Sequence, residues 1–436
     1  MTESQRVAST GAHSGAFYDA LEQRSQAERE RALMAALPGL VAQAQARTTA
    51  FGELLRGVDA AALTSRDALA KLPVTRKNDL LQRQKAARES GPGDPFGGFS
   101  AIGWRGLAHP HGARNVYQSP GPIYEPQGAS GDYWRMARAL FAAGFRGGEL
   151  LHNSFSYHLT PAGAMLESGA LALGCAVFPG GIGNTELQLQ AIADLQPQGY
   201  GGTPSFLKIL VERAAETGLA LPSLTKALVS GEAFPPALRD WLLERGIEGT
   251  QCYATADVGL IAYETSAHAG LVVDEGVIVE IVRPGTGDPV AAGEVGEVVV
   301  TVLNPDYPLI RFGTGDLSAI LPGACPTGRT NARIKGWMGR ADQTAKVRGM
   351  FVHAGQVAQI ARRHPEVAKA RLVVSGEMAS DRMTLRVETH GAPEGLAARI
   401  AQSVRDVTKL RCEVELCAPG SLPNDGKVIE DARDFG

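Results

Sequence analysis

Between about residues 130 and 250, short apolar runs, "ELLHNSF", "CAVFPG" and "KALVSG", alternate with helical stretches such as "PAGAMLESGALALG", "NTELQLQAIADL" and "FLKILVERAAETG". This alternation constrains the fold more than any other feature. Strands separated by helical stretches of about a dozen residues imply βαβ units, and the parallel sheet they build is covered on both faces. Ligands gather in such sheets at the carboxyl ends of the strands. Four loops occupy that position: "HNSFSYHLTPAG", "GGTPSF", "SGEAFPP" and "CYATADVG".

The flanking segments have other patterns. Residues 16 to 47 carry helix formers broken by Pro38, which predicts two helices. From 271 to 321 short strands follow one another, as in an antiparallel or barrel-like segment. The last stretch pairs "ARLVVSG" with "MTLRVET", then adds the helix "EGLAARIAQSVRDVTKL" and the strand "CEVELCAP". A unit of roughly 90 residues is large enough to fold by itself. The expected architecture is therefore α/β. A large N-terminal domain of parallel βαβ sheets with a small barrel-like β segment spans 1–341, and a small mobile α+β domain spans 342–436.

Composition excludes several classes. A formal net charge of −3 gives no reason to expect nucleic acid or an anionic membrane as partner, and no apolar run approaches a bilayer span. The five cysteines form no CxxC pair, so the expectation is a reducing, cytoplasmic compartment without a disulfide framework. Glycine and proline are abundant but scattered, as tight strand-to-helix turns require.

Single residues are ambiguous when taken alone. Lys427, in the tail "LPNDGKVIE", is either a solvated cation or a point charge carried into a site. Asp316, in "RFGTGDLS", is either a turn residue or a carboxylate able to accept from both hydroxyls of a diol, with Gly313 and Gly315 letting the backbone turn beside a ligand. "YATADVG" reads as a strand end with a helix N-cap at Thr255 or Asp257, or as a site with an aromatic, a hydroxyl and a hard oxygen ligand.

Taken in order, "LAKLPVTRKNDLL", "HNSFSYHLTPAG", "YATADVGLIAYE", "RFGTGDLS", "GRADQTAKVRG" and "LPNDGKVIE" resemble the adenylate-forming enzymes, in particular the phenylacetate–CoA ligase branch. The resemblance implies an AMP-forming ligase that uses ATP, Mg2+ and coenzyme A on an aromatic or arylacetic acid. It implies that Ser230, Gly231, Glu232, Tyr253, Ala254, Thr255, Asp316 and Arg340 bind the nucleotide and that Asp257 holds the metal. Tyr157, His158 and Gly202 would line the acid pocket. Lys427, Arg340 and Thr255 would be catalytic, Asp342 a hinge, and Arg348 and Gly349 the coenzyme A side. A homodimer is compatible with the resemblance. A carrier protein or an amine as acceptor stays open, as does a nucleotide- or acyl-CoA-binding protein of the same fold that has lost adenylation.

Two segments depart from the family pattern. The phosphate loop is replaced by "VYQSPGPIYEPQG", where Pro120 and Pro122 lack N–H groups and Glu125 would repel phosphate; Ser119, Gly121 and Arg114 are the remaining contacts. "YETSAHAGLVVDEG" has one histidine, His268, and no cysteine, so no structural zinc is expected, and His109 and His111 read as loop residues.

Overall fold

The protein is described by a computed structural model covering residues 15–91, 93–104, 112–283, 287–338, 341, 344–347, 350–376, 381–391, 393–423 and 428–433. Its contacts divide the chain into two compact units, Met1–Thr314 with Ser318–Trp337, and Gly315–Leu317 with Met338–Gly436.

The first unit is built on a nine-stranded sheet. Its parallel part runs in the order Ala176–Pro179, Leu150–Asn153, Gly199–Gly202, Lys226–Val229 and Glu248–Thr255. The crossovers are the helices Ala162–Leu173, Thr185–Leu195, Pro204–Glu216 and Pro236–Leu243, so the βαβ alternation of the sequence is the alternation of the fold. Gly259–Tyr263, Leu271–Val273, Arg333–Ile334 and Ile320–Leu321 extend this sheet in antiparallel sense. A four-stranded sheet is formed by Val277–Val282, Gly296–Val302, Phe312–Ser318 and the two-residue strand Thr75–Arg76. The 271–321 segment thus contributes to two open sheets.

The expected break at Pro38 is absent: one helix runs from Gln26 to Arg47. An interior proline removes a hydrogen bond and strains the preceding turn. Here the helix is held by tertiary burial of Leu33, Met34, Leu37, Leu40, Val41 and Ala44 along one face, and a capping box at Ser25 and Glu28 fixes its start.

Buried charge ties distant segments of this unit together. Glu22, fully buried, accepts from Arg329 Nε at 3.1 Å and from the Tyr263 hydroxyl, while Arg29 pairs with Glu275 and donates to Asn331. Arg311, 1% exposed, has a positive φ of 46°, a conformation unfavourable for a side chain with Cβ. It is held there by bonds from its guanidinium to Glu280, to the carbonyls of Ala70 and Leu72, and to that of Gly287.

The second unit has a sheet in the order Glu413–Cys417, Arg382–Thr389, Val367–Ser375 and Ile429–Asp431, with helices Ala354–Arg362 and Leu396–Thr408. The pairing of 367–375 with 382–389 is antiparallel, as the sequence pattern predicts. Val357, Ile360, Leu372, Val374, Leu385, Val387, Leu396, Ile400 and Val404 form its core. No described helix is long and apolar enough to cross a membrane.

Candidate active site

Tyr253, Ala254 and Thr255 end the strand Glu248–Thr255, the last parallel strand of the large sheet, and are all partly exposed. No helix follows them. The chain turns through Ala256–Val258 and returns as Gly259–Tyr263, so Thr255 caps a hairpin turn by accepting from Val258 N at 3.3 Å. A bulge shifts the register between Tyr253 and Ala254, and bulges re-aim side chains. Asp257 stands in this turn with its side chain 4% exposed.

Asp257 does not stand alone. Lys77 places its Nζ at 2.9 and 3.2 Å from the two carboxylate oxygens and 3.4 Å from Ser119 Oγ. Ser119 Oγ donates to Glu125 Oε1 at 3.0 Å. The replaced phosphate loop is therefore not a loose cradle but a β-hairpin, Asn115–Ser119 paired with Ile123–Gln127, with Glu125 facing inward. Burial, and after it the Asp257 carboxylate, push Glu125 well above the ordinary glutamate range, against the opposing pull of Lys77. Its Oε2 is buried and has no hydrogen-bond partner among the described residues.

The position of Lys77 follows from the segment before it. Thr75 N donates to Arg311 O at 2.9 Å, and Thr75 and Arg76 pair in parallel with Phe312 and Gly313. Arg76 Nη2 is 2.9 Å from Glu297 Oε2, and Arg76 N donates to Asp79, starting the helix Lys77–Glu89 at the lysine itself. Gly313 serves this pairing rather than a turn: a Cβ there would lie 2.8 Å from Glu297 Oε1 and 3.1 Å from Arg76 Nη1. Gly315 does have a positive φ, 75°.

The sequence-predicted residues are distributed as follows. Ser230 Oγ donates to Cys252 O at 2.8 Å, joining the loop after Lys226–Val229 to the Tyr253 strand. Gly231, at φ 82°, and Glu232 are exposed on that loop. Gly202 is buried, and a Cβ there would collide with the Tyr200 hydroxyl at 2.2 Å. Tyr157 is partly buried, whereas His158 is exposed and its backbone bonds to Ser156. Asp316, 9% exposed, lies in the strand Phe312–Ser318 and is grouped with the second unit. Arg340, Asp342, Arg348, Gly349 and Lys427, like His109 and His111, lie outside the described residues. His268 Nδ1 is 3.4 Å from Glu264 Oε2, and Glu264 is held by Arg239.

Lys77 is the functional candidate that residue-by-residue reading passes over. The signal was present as "VTRKNDLL", but nothing in the sequence shows that this helix start faces a turn 180 residues away. Among the described residues no group of three or more His, Cys, Asp or Glu is placed to hold a metal. Magnesium is usually bound by one or two carboxylates together with substrate phosphates; Asp257, the expected ligand, is a single carboxylate with both oxygens within 3.2 Å of Lys77 Nζ.

A family model described as AMP-binding enzyme matches residues 157–302. The chain is 30% identical over 420 residues to a phenylacetate-coenzyme A ligase of Thermus thermophilus, covering 89% of this chain and 92% of that protein. It is 28% identical over 382 residues to a phenylacetate-coenzyme A ligase of Escherichia coli, covering 83% of this chain and 84% of that protein. The fold matches a crystal structure of 2-hydroxyisobutyryl-CoA ligase in complex with 2-HIB-AMP and CoA, with TM-score 0.74, 24% identity, and coverage of 97% of this chain and 93% of that one.

Proposed function

We propose that this chain, which belongs to the phenylacetate–coenzyme A ligase family of AMP-binding enzymes, is an AMP-forming carboxylate–CoA ligase acting on an aromatic or arylacetic acid. The carboxylate attacks the α-phosphorus of ATP, pyrophosphate leaves, and the acyl adenylate forms. The thiolate of coenzyme A then attacks the acyl carbon and AMP leaves.

The observation that carries the reading is the placement of Lys77 against Ser119 and against Asp257, which stands in the turn that follows Tyr253 and Thr255. A compact ammonium beside a hydroxyl at the carboxyl end of a parallel strand suits the phosphates of a nucleotide, and it replaces the lysine missing from the hairpin. Tyr253 offers a face for adenine, Thr255 a hydroxyl for the α-phosphate, and Ser230 with its loop the edge of the base. Asp316 would accept from the ribose hydroxyls, and Asp257 would hold a magnesium ion, which supplies charge neutralisation on the phosphates.

Lys427 and Arg340 complete this proposal as cations on the developing phosphoryl charge, with Asp342 as the hinge between domains 1–341 and 342–436 and Arg348 and Gly349 toward coenzyme A. Tyr157, His158 and Gly202 belong to the acid side. The proposed setting is the cytoplasm, with neither nucleic acid nor membrane as partner and a homodimer as the assembly.

Exchange of labelled pyrophosphate into ATP across a panel of aromatic and arylacetic acids tests the first half-reaction. Product mass analysis with coenzyme A, a carrier protein or an amine as acceptor tests the second. We expect exchange with phenylacetate, a thioester with coenzyme A, and loss of exchange in Lys427→Ala. Absence of exchange with every acid, alongside retained AMP binding, would refute the adenylation reading.

A further inference from the structure

The loop after strand Leu150–Asn153 closes on a hydrogen-bond chain whose direction is fixed. Asn153, fully buried, donates from Nδ2 to the Gly163 carbonyl at 2.9 Å and to the Tyr157 hydroxyl at 2.8 Å. Its Oδ1 accepts from Phe155 N at 3.1 Å. The orientation of this amide is forced, because a carbonyl can only accept and a backbone N–H can only donate. With the amide hydrogen already pointing at it, the Tyr157 oxygen acts as acceptor, and its single hydrogen goes to Glu167 Oε2, 2.7 Å away.

The ring is clamped as well as the hydroxyl. A Cβ on Gly163 would lie 2.8 Å from Cγ and Cδ2 of Tyr157, so the ring lies directly against the start of the helix Ala162–Leu173. The hairpin that replaces the phosphate loop is fastened to the same loop, since Gln118 N donates to Leu159 O at 2.8 Å. None of this requires Glu167 to be an acid for packing alone; Glu167 is partly exposed, and its bond to Tyr157 is the one that consumes the hydroxyl hydrogen.

We propose that Glu167 is a positioning and specificity-determining residue: it fixes Tyr157 and takes up its hydroxyl hydrogen, so that the acid meets an apolar ring face and not a hydrogen-bond donor. The substrates favoured are aryl acids whose ring bears no acceptor at that end, because an acceptor there would find no donor. This inference rests on Tyr157 lining the acid pocket, as proposed above.

The test is pyrophosphate exchange with phenylacetate and with 4-methoxyphenylacetate. In Glu167→Ala the KM for phenylacetate rises about fivefold or more, as for other losses of positioning, while the KM for ATP and kcat stay within about twofold. Preference moves toward the methoxy acid, whose oxygen now meets a free hydroxyl. Glu167→Gln keeps an acceptor and restores both values. In a Tyr157→Phe background Glu167→Ala adds little, since the bond it breaks is already gone.

If Tyr157→Ala raises the KM for phenylacetate and Glu167→Ala does not, the role of Glu167 is overturned and the pocket reading stands. If Tyr157→Ala leaves that KM unchanged, the pocket reading itself fails and the inference falls with it. An equal effect of Glu167→Ala with and without the Tyr157 hydroxyl shows that Glu167 does not act through Tyr157. Glu167→Gln and Tyr157→Phe, both nearly isosteric, keep the comparison decisive should Glu167→Ala fail to fold.

Discussion

Replacing Arg311 by Met removes the clamp that carries Lys77 to its place. Arg311 and Glu280 have side chains 2% and 5% exposed, and the guanidinium also serves the carbonyls of Ala70, Leu72 and Gly287. Breaking a buried ion pair from one side costs about 3–5 kcal/mol, because the other charge is left unpaired. Burial pushes Glu280 above the ordinary glutamate range even beside Arg311, so without its partner it takes up a proton. That caps the loss near the lower figure, about 3 kcal/mol. In a unit of this size about 2 °C of Tm accompanies each kcal/mol, which gives a fall of about 6 °C.

The sign with pH follows from the same proton. Once Arg311 is gone, Glu280 is neutral in the folded chain and ionised in the unfolded one above the ordinary range. Stability is fully present at acid pH and declines as pH rises toward the elevated folded value. The deficit of Arg311→Met should therefore widen with pH, and Arg311→Met with Glu280→Gln should lose that widening. Because a chain of two units has no single unfolding free energy, the readout is the calorimetric midpoint of the transition that Arg311→Met moves. A single mutant within about 2 °C of the parent, or a double mutant with the same pH trend as the single, would refute the reasoning.

Three further outcomes are expected. Lys77→Met should lower pyrophosphate exchange by about 10²-fold, in the range of a lost transition-state donor; because it leaves the Asp257 carboxylate, 4% exposed, without this cation, it should also cost about 1–3 kcal/mol of stability, and a Tm shift with unchanged exchange would reverse its assignment. Glu125→Gln should stabilise the chain more at pH 8 than at pH 5, because buried Glu125 keeps its proton while the unfolded side chain loses it; a Tm difference independent of pH would show an ionised Glu125. Gly163→Ala, whose Cβ would press on the Tyr157 ring at 2.8 Å, should cost about 1–3 kcal/mol and raise the KM for phenylacetate more than that for ATP, as read by melting and by exchange kinetics.

The alternation of apolar runs and helical stretches determined the parallel sheet, because each strand of a βαβ unit is local in sequence and its crossover helix is written beside it. The 367–389 hairpin was legible for the same reason. The strand ends that bear Tyr253, Thr255 and Ser230 could be found from motif and position alone. What the sequence could not decide were contacts between distant segments. Pro38 reads as a break, yet burial of the helix face overrides it. Glu125 reads in the sequence only as a charge in a loop; the fold buries it in a hairpin, and that burial pushes it well above the ordinary glutamate range. Lys77 reads as one cation in a polar helix, and only the pairing of Thr75–Arg76 with Phe312–Gly313 brings it to Asp257. Local pattern fixes which elements form. The charge state and partner of a side chain depend on desolvation and on neighbours far along the chain, and those exist only once the chain has folded.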